Sequence, residues 1–533
     1  MSNPVKPQDA ELSIKFGGGL HTRATEDEID PREAADGQNF LLDLENRELR
    51  PRPPFDLVGT VPNGSEIRGG FSLLKSDGTV QMGIQAGDTV YEWDGTGFEK
   101  IGTVDSTAKL RGHWRSHNWT LDDKVIITDM NLVDVVKEWD GSTFQSVSFT
   151  SGTDSGASFG NFYAKYLTIA DERAIFAHVR DASGVLPHMI VGTQRENYTV
   201  LSVDDRPSSS LSDADPFFLL TPDLKPINGL EEAFGTTIIS TQQGKLFNLS
   251  GSSAKDFAFS DFYAGSAAAG EEAVAYIGND IIYGRNGRIE SVRDTDRFGD
   301  SEADDLTSPV KPDVEDFTGW HILYNSRLNR IYAFPTGESE VWVAQTAMIG
   351  GKLSPWMRWT TNHAMAFQPT FAMSMLDPAD GLEYVFMGDS DGNLYRMEGS
   401  GDLGDAGSVP IQTEFMTRLF SAPLDTEING VEGYIKYHKH ATVPVRLVFE
   451  YAGASAFNEP INIELGGIDN APHFGGDHYF GGDDYFGVLF EHRLLKKPFF
   501  PPGQASDFQI RIQVDSTNHF HINEIALRFK VAS

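Results

Sequence analysis

Along most of this chain, apolar and β-branched residues come in runs of four to six, and the runs end at Gly, Asp or Asn. Thr79–Ile84, Lys124–Thr128, Thr236–Ser240 and Glu340–Val343 are examples. Short runs bounded by turn residues predict strands, and no stretch keeps a helical period long enough for a parallel α/β architecture. One pattern recurs. Val90-Tyr91-Glu92-Trp93-Asp94-Gly95-Thr96-Gly97-Phe98 returns as Val136-Lys137-Glu138-Trp139-Asp140-Gly141-Ser142-Thr143-Phe144. In both copies Asp-Gly suits the positive φ of a two-residue hairpin turn, which sets the flanking aromatics opposite each other. Trp93, Asp94, Gly95, Trp139, Asp140 and Gly141 are therefore the expected structural turn residues.

The two glycines are 46 positions apart, close to the roughly 40 to 50 residues of one propeller blade. Weaker units follow at Gly244–Phe247, Gly287–Ile289, Asn329–Tyr332 and Gly392–Tyr395. The wide gap before Gly244 has room for one more, which includes His188–Gly192 through Tyr198–Leu201. The expected fold is all-β: a propeller of six to eight blades, seven favoured, over residues 61–400.

The ends read differently. Residues 1–60 form an amino-terminal docking segment with the first strands. Within it Asp30 before Pro31, with Glu33 three residues on, can cap a short helical turn that Gly37 could end. The triple glycine Gly17–Gly19 lacks the Lys-Ser or Lys-Thr of a phosphate cradle. Residues 400–408 read as a linker, and 401–533 as a carboxy-terminal β-rich domain or appendage resembling a sandwich. That region holds a tight repeat, His473-Phe474-Gly475-Gly476-Asp477-His478-Tyr479-Phe480-Gly481-Gly482-Asp483-Asp484-Tyr485-Phe486-Gly487. Its rings cannot all pack locally, so Phe474, Tyr479, Phe480, Tyr485 and Phe486 are interface candidates. A structured hairpin without a partner is the alternative.

Composition narrows the function. There is no cysteine among 533 residues, which excludes disulfides and zinc-thiolate sites. No signal-like or membrane-spanning run is present, so a soluble protein made in a cytosol, with no membrane insertion, is expected. The formal net charge of -34 is wrong for wrapping nucleic acid. It serves solubility, or it lines a passage through which DNA slides without sticking.

Candidate chemistry is sparse. Asp389, Asp391 and Asn393 alternate like the start of a calcium loop, but Ser400 stands where the twelfth-position Glu belongs, and a turn is favoured. The histidine pairs His113/His117 and His438/His440 have no third ligand at a zinc spacing. Ser76-Asp77-Gly78-Thr79 and Ser390-Asp391-Gly392-Asn393 read as hairpin turns rather than sialidase-type boxes, and no nucleophile elbow is present. No catalytic residue, metal or cofactor is expected.

In order along the chain, the amino-terminal elements, the Glu-Trp-Asp-Gly blades and the aromatic-glycine repeat resemble the tail nozzle proteins, or tail tubular protein B, of short-tailed bacteriophages. The likeness is most specific over residues 16–55: Gly18–Thr22 for Gly-Gly-Leu-x-Thr, Ile29–Asn39 with one extra residue in its spacing, and Leu49–Pro53 for Leu-Arg-Pro-Arg-Pro. The resemblance implies a structural protein of the virion tail, assembled in the host cytoplasm. It would form a hexameric ring below the adaptor or head-to-tail connector, meet fibre or needle proteins, and hold DNA in its channel without reading sequence until ejection. Family members often carry large insertions that build a platform and a gate, for which this chain has little room. A receptor-binding or glycan-degrading tail protein and a cellular propeller scaffold are the alternatives.

Overall fold

The computed structural model describes residues 8–25, 27–45, 47–104, 114–151, 161–181, 184–201, 212–233, 236–242, 245–264, 273–277, 280–292, 304–360, 369–399, 409–421, 427–438, 443–452, 460–465, 494–499, 504–505, 507–516 and 520–532. Among them, seven four-stranded antiparallel sheets follow one another as the blades of a β-propeller. The first strands of the blades begin at Ile67, Trp114, Tyr163, Ile227, Val274, Trp320 and Phe371. Each touches the first strand of the next blade, and the seventh touches the first, so these strands surround the axis. Blade 7 is completed from the other end of the sequence. Asp56–Thr60 lies beside Asn393–Arg396 as its outer strand, pairing Asp56 with Arg396 and Thr60 with Asn393.

Successive blades bury apolar side chains between them. Phe71, Leu73 and Val90 of blade 1 pack with Trp114, Val125, Ile127 and Trp139 of blade 2. Trp93 packs in the same way between blades 7 and 1, against Phe371 and Phe386. The repeated tryptophan thus stands on the third strand of its blade and fills the seam with the preceding one. Truncating such a side chain costs about 3–5 kcal/mol.

Both expected hairpins form, but with four-residue loops, 94–97 and 140–143, in place of two-residue turns, and only the glycine of each Asp-Gly takes a positive φ. Trp93 pairs with Phe98 and Trp139 with Phe144 across the turn, and the Trp93 and Phe98 ring centroids are 4.8 Å apart. Gly95 and Gly141 have φ of +93° and +86°. The aspartate carboxylate anchors each turn: Asp94 Oδ1 accepts from Thr96 N at 2.7 Å and Gly97 N at 2.8 Å. Asp140 Oδ1 does the same for Ser142 N and Thr143 N. Of the weaker units, His188–Gly192, Lys245–Phe247, Arg288–Ile289 and Asn393–Tyr395 also fall on third strands. Arg330–Tyr332 is the exception, on the second strand of blade 6.

Apart from a two-stranded parallel pair, Thr150–Ser151 with Val200–Leu201, the remaining strands of the described residues form two sheets packed face to face. Gln8–Lys15 (β1), Asp36–Gln38 (β2), Phe40–Asp43 (β3) and Glu48–Pro51 (β4) come from the amino-terminal segment, with Asp56–Thr60 as β5. β1 runs antiparallel to Ile522–Ala532, with Leu12 opposite Leu527, and β4 meets the same strand at Leu49 and Ile522. β2 pairs with Ile411–Met416 in the second sheet. The reading of 1–60 as a docking segment and 401–533 as a separate unit is therefore regrouped: β1 to β4 share the sandwich sheets with the carboxy-terminal strands, and β5 belongs to the propeller. Nearest-neighbour sequence patterns carry no trace of strand pairing between opposite chain ends.

Candidate functional site at the propeller and sandwich junction

The outer strand of blade 6, Trp356–Thr360, pairs on one side with Glu340–Gln345. Its other edge would present unpaired backbone groups, a template for unwanted strand addition. Residues of the amino-terminal segment cap that edge in succession. Gly19 N donates to Ser354 O at 2.8 Å, Leu20 N to Trp356 O at 2.7 Å and Asn39 N to Arg358 O at 2.8 Å. In the other direction Ser354 N donates to Glu33 Oε1 at 2.6 Å, and Thr360 N to Asn39 Oδ1 at 2.7 Å. Arg52 Nη2 closes the row on Thr360 O at 3.0 Å.

Local sequence explains how these groups are presented. Asp30-Pro31-Arg32-Glu33 makes a tight turn in which Glu33 N donates to Asp30 O, and Glu33 Oε2 accepts from Asp30 N at 3.2 Å. Only the Glu33 half of a capping box forms: the Asp30 carboxylate accepts from Arg32 N at 2.9 Å instead of from Glu33 N, and the turn does not continue into a helix. Gly37 does not end it: Gly37 lies within β2, opposite Phe415. The side chain of Arg32 forks onto Asp30 at 2.9 and 3.0 Å and is the main cause holding the Asp30 carboxyl below its usual 3.8. The pair is largely exposed and contributes little stability. Buried Glu33 also accepts from His21 Nδ1 at 2.8 Å.

Asn39 is the hub. It is 1% exposed and sits at φ +56°, a left-handed conformation that Asn adopts more readily than most residues. Its Nδ2 donates to Thr360 Oγ1 and Gln412 O, both at 3.0 Å, and its Oδ1 accepts from Arg52 Nε at 2.9 Å. One side chain therefore joins blade 6, the second sandwich sheet and Arg52, the residue that follows β4. Arg52 is fully buried, donates to Pro53 O at 2.9 Å, and lies 3.9 Å above the Phe55 ring. The two indole groups of the blade strand complete the seam: Trp359 Nε1 donates to Phe40 O at 2.9 Å and Trp356 Nε1 to Leu306 O at 2.7 Å. The glycines are required by contact. A Cβ on Gly19 would stand 2.1 Å from Trp356 O, and one on Gly18 would stand 2.4 Å from Glu33 Cγ.

Asp389 Oδ1 accepts from Asp391 N at 2.9 Å and Asn393 N at 2.8 Å, and Oδ2 from Asn393 Nδ2 at 2.8 Å. These carboxylate oxygens are turned toward N–H donors, the bonding of a turn rather than of a calcium loop. Burial, helped by Asp389, pushes the neighbouring Tyr395 phenol up to about 12. Among the described residues no group of three or more His, Asp or Glu could hold a metal ion. Phe474, Tyr479, Phe480, Tyr485, Phe486, His113, His440 and the linker at 400–408 lie outside the described residues.

Between the first strands of blades 2 and 4, His117 Nε2 lies 4.0 Å from Glu231 Oε1. Burial holds His117 below its usual 6.5, against the pull of Glu231. Sequence reading found the turns but not Asn39, Arg52 and Glu33 as partners of blade 6, because the edge they cap lies some 300 residues away.

No protein-family model and no curated protein matches the chain. Solved structures align with it at low identity. YCF48 from Cyanidioschyzon merolae is 14% identical with a TM-score of 0.35, over 64% of this chain and 98% of that one. The extracellular domain of a hybrid two-component system from B. thetaiotaomicron is 11% identical with a TM-score of 0.39, over 80% and 57%. BBS1N, solved in complex with ARL6DN, is 9% identical with a TM-score of 0.39, over 68% and 98%.

Proposed function

We propose that this chain is a structural subunit of the tail of a short-tailed bacteriophage: a nozzle component that forms a ring around the DNA exit channel, retains the genome and opens for ejection. The observation that carries the reading is the joint role of the residues behind the resemblance. Gly18–Thr22, Ile29–Asn39 and Leu49–Pro53 are distant in pattern yet act as one device that caps blade 6 and joins it to the sandwich. A motif of structural residues with one shared task is what a family of load-bearing ring subunits would keep.

The channel of such a ring lies between copies of the chain. DNA would run there, past surfaces of a protein with net charge -34. Repulsion between like charges would limit adhesion of the moving duplex. In this reading the hexamer meets the adaptor on one side and needle or fibre proteins on the other, and no catalysis is required of it.

The test is immunogold electron microscopy with an antibody against this chain on virus particles from the same source. Label confined to the axial tail below the capsid is the expected result. Label on peripheral fibres, or on no particle, would overturn the proposal.

A further inference from the structure

The second sandwich sheet buries one face and leaves the other open. Inward go Phe415, Val445, Leu447, Ile463, Ile512 and Val514, all buried. Outward, the strand registers line up one row across five strands: Gln38 opposite Glu414, Glu414 opposite Gln513, Gln513 opposite Arg446, and Arg446 opposite Asn462. Strands spaced about 4.8 Å apart make this row roughly 19 Å long. A second row beside it carries Gln412 opposite Asp515, and Glu464. The two rows, with Thr413, Pro444 and the edges of Val445, Ile463 and Val514 between them, line a depression of about 650 Å³, within the size range of small-ligand sites.

Part of this surface is locked in place and part is open. Arg511 Nε donates to Glu450 at 2.8 Å, and its Nη1 bonds Glu414. Gln513 Nε2 donates to Glu414 Oε1 at 3.3 Å. Glu414 and Gln513 are thus held at fixed positions. Gln38, Gln412, Arg446, Asn462, Glu464 and Asp515 line the same depression, and no side-chain hydrogen bond joins them to one another among the described residues.

We propose that this depression binds a neutral oligosaccharide. The lining excludes other classes of ligand. An apolar helix would bury amides and charges without partners. Nucleic acids and other polyanions would meet three carboxylates against the single cation Arg446. Four amides, three carboxylates and one guanidinium instead offer donors and acceptors side by side, the complement of hydroxyl groups that both donate and accept. The strand spacing is close to the length of one pyranose unit, so successive sugars would meet successive strands. No aromatic platform lines the depression among the described residues, so hydrogen bonds to Arg446, Asn462 and the amides would carry the affinity.

The inference stands apart from the tail reading, since its test involves neither particles nor assembly. Titration calorimetry on the full-length protein would use maltohexaose, cellohexaose, xylohexaose and mannohexaose, with hexalysine as the competing chemistry. At least one hexasaccharide should bind with Kd below about 1 mM. Arg446→Ala and Asn462→Ala, both at exposed positions, should each weaken it about tenfold while leaving the melting temperature in place. Raising the salt should leave Kd within about twofold, since the ligand is neutral. The proposal fails if no hexasaccharide binds at about 10 mM, if both variants bind as well as the native protein, or if hexalysine alone binds.

Discussion

Replacing Asn39 with Ala tests the junction at its hub. The substitution removes the acceptor of the Thr360 amide, the acceptor of Arg52 Nε and the donors to Gln412 O and Thr360 Oγ1. Each buried partner left unsatisfied costs about 1–3 kcal/mol. Ala at φ +56° adds about 1–2 kcal/mol of left-handed strain. Even with partial relaxation, the loss comes to about 4 kcal/mol. In a chain with two folded parts a single unfolding midpoint is ambiguous, so the sharper assay is hydrogen exchange at the Thr360 amide. Its protection should fall about 5- to 150-fold, the equivalent of losing 1–3 kcal/mol locally. Asn39→Gly relieves the strain but not the missing acceptor, and should expose Thr360 equally. Asn39→Asp keeps Oδ1, and should leave Thr360 protected while losing the bond to Gln412 O. Unchanged protection of Thr360 in a folded Asn39→Ala protein would refute the account, as would equal loss in Asn39→Asp.

Two further outcomes follow from the same structure. Gly19→Ala drives a Cβ into the Trp356 carbonyl, and overpacking of this kind should destabilise the protein by about 1–3 kcal/mol, read as a fall in the urea midpoint of tryptophan fluorescence. The Asp94 carboxyl is held below its usual 3.8 first by the Thr96 hydroxyl and then by the Thr96 and Gly97 amides. A depressed folded pKa means that its contribution is complete above the unfolded value and disappears as the pH falls through the folded one. The melting-temperature difference between native protein and Asp94→Ala should therefore be constant from pH 5 to 8 and shrink below about pH 4. A difference that persists at pH 2 would show that the carboxylate does not hold the turn.

Local chemistry decided which parts of the fold were legible. The Asp-Gly turns and their aromatic pairs announce themselves, because a positive φ, a short carboxylate and two facing rings all lie within nine residues. The gap before Gly244 was correctly divided: His188–Gly192 lies on the third strand of blade 3. Arg330–Tyr332 resembled a third strand because a turn followed by an aromatic run can open any strand of a blade, and it is the second strand of blade 6. The junction was half-visible. Asp30 to Glu33 gave half of its capping geometry, the Glu33 return to Asp30 N, on a turn rather than a helix, and the close approach at Gly18 and Gly19 was not visible. Asn39 and Arg52 looked ordinary, since their partners Thr360 and Gln412 lie beyond the reach of any local pattern.

What couples the propeller to the sandwich can be decided by magnitude. One possibility is chain connectivity: pairing β5 with Asn393–Arg396 brings residues 56 and 396 together, and the segments leading to the β1 pairing of Lys15 with Glu524 then start as neighbours. Closing the inner loop of roughly 330 residues costs about 5 kcal/mol, but with a logarithmic dependence on length the outer closure becomes easier by only about 1 kcal/mol. The alternative is the capped edge of blade 6, where six hydrogen bonds join the two parts. At about 1 kcal/mol net for each bond they supply about 6 kcal/mol, before the burial of Trp356 and Trp359 beneath them. The edge outweighs the connectivity severalfold. Propeller and sandwich should therefore stay together on gel filtration even in a protein cut both between β4 and β5 and between Arg396 and Ile411, because the bonds at blade 6 do not depend on either peptide link; elution as separate parts would refute it.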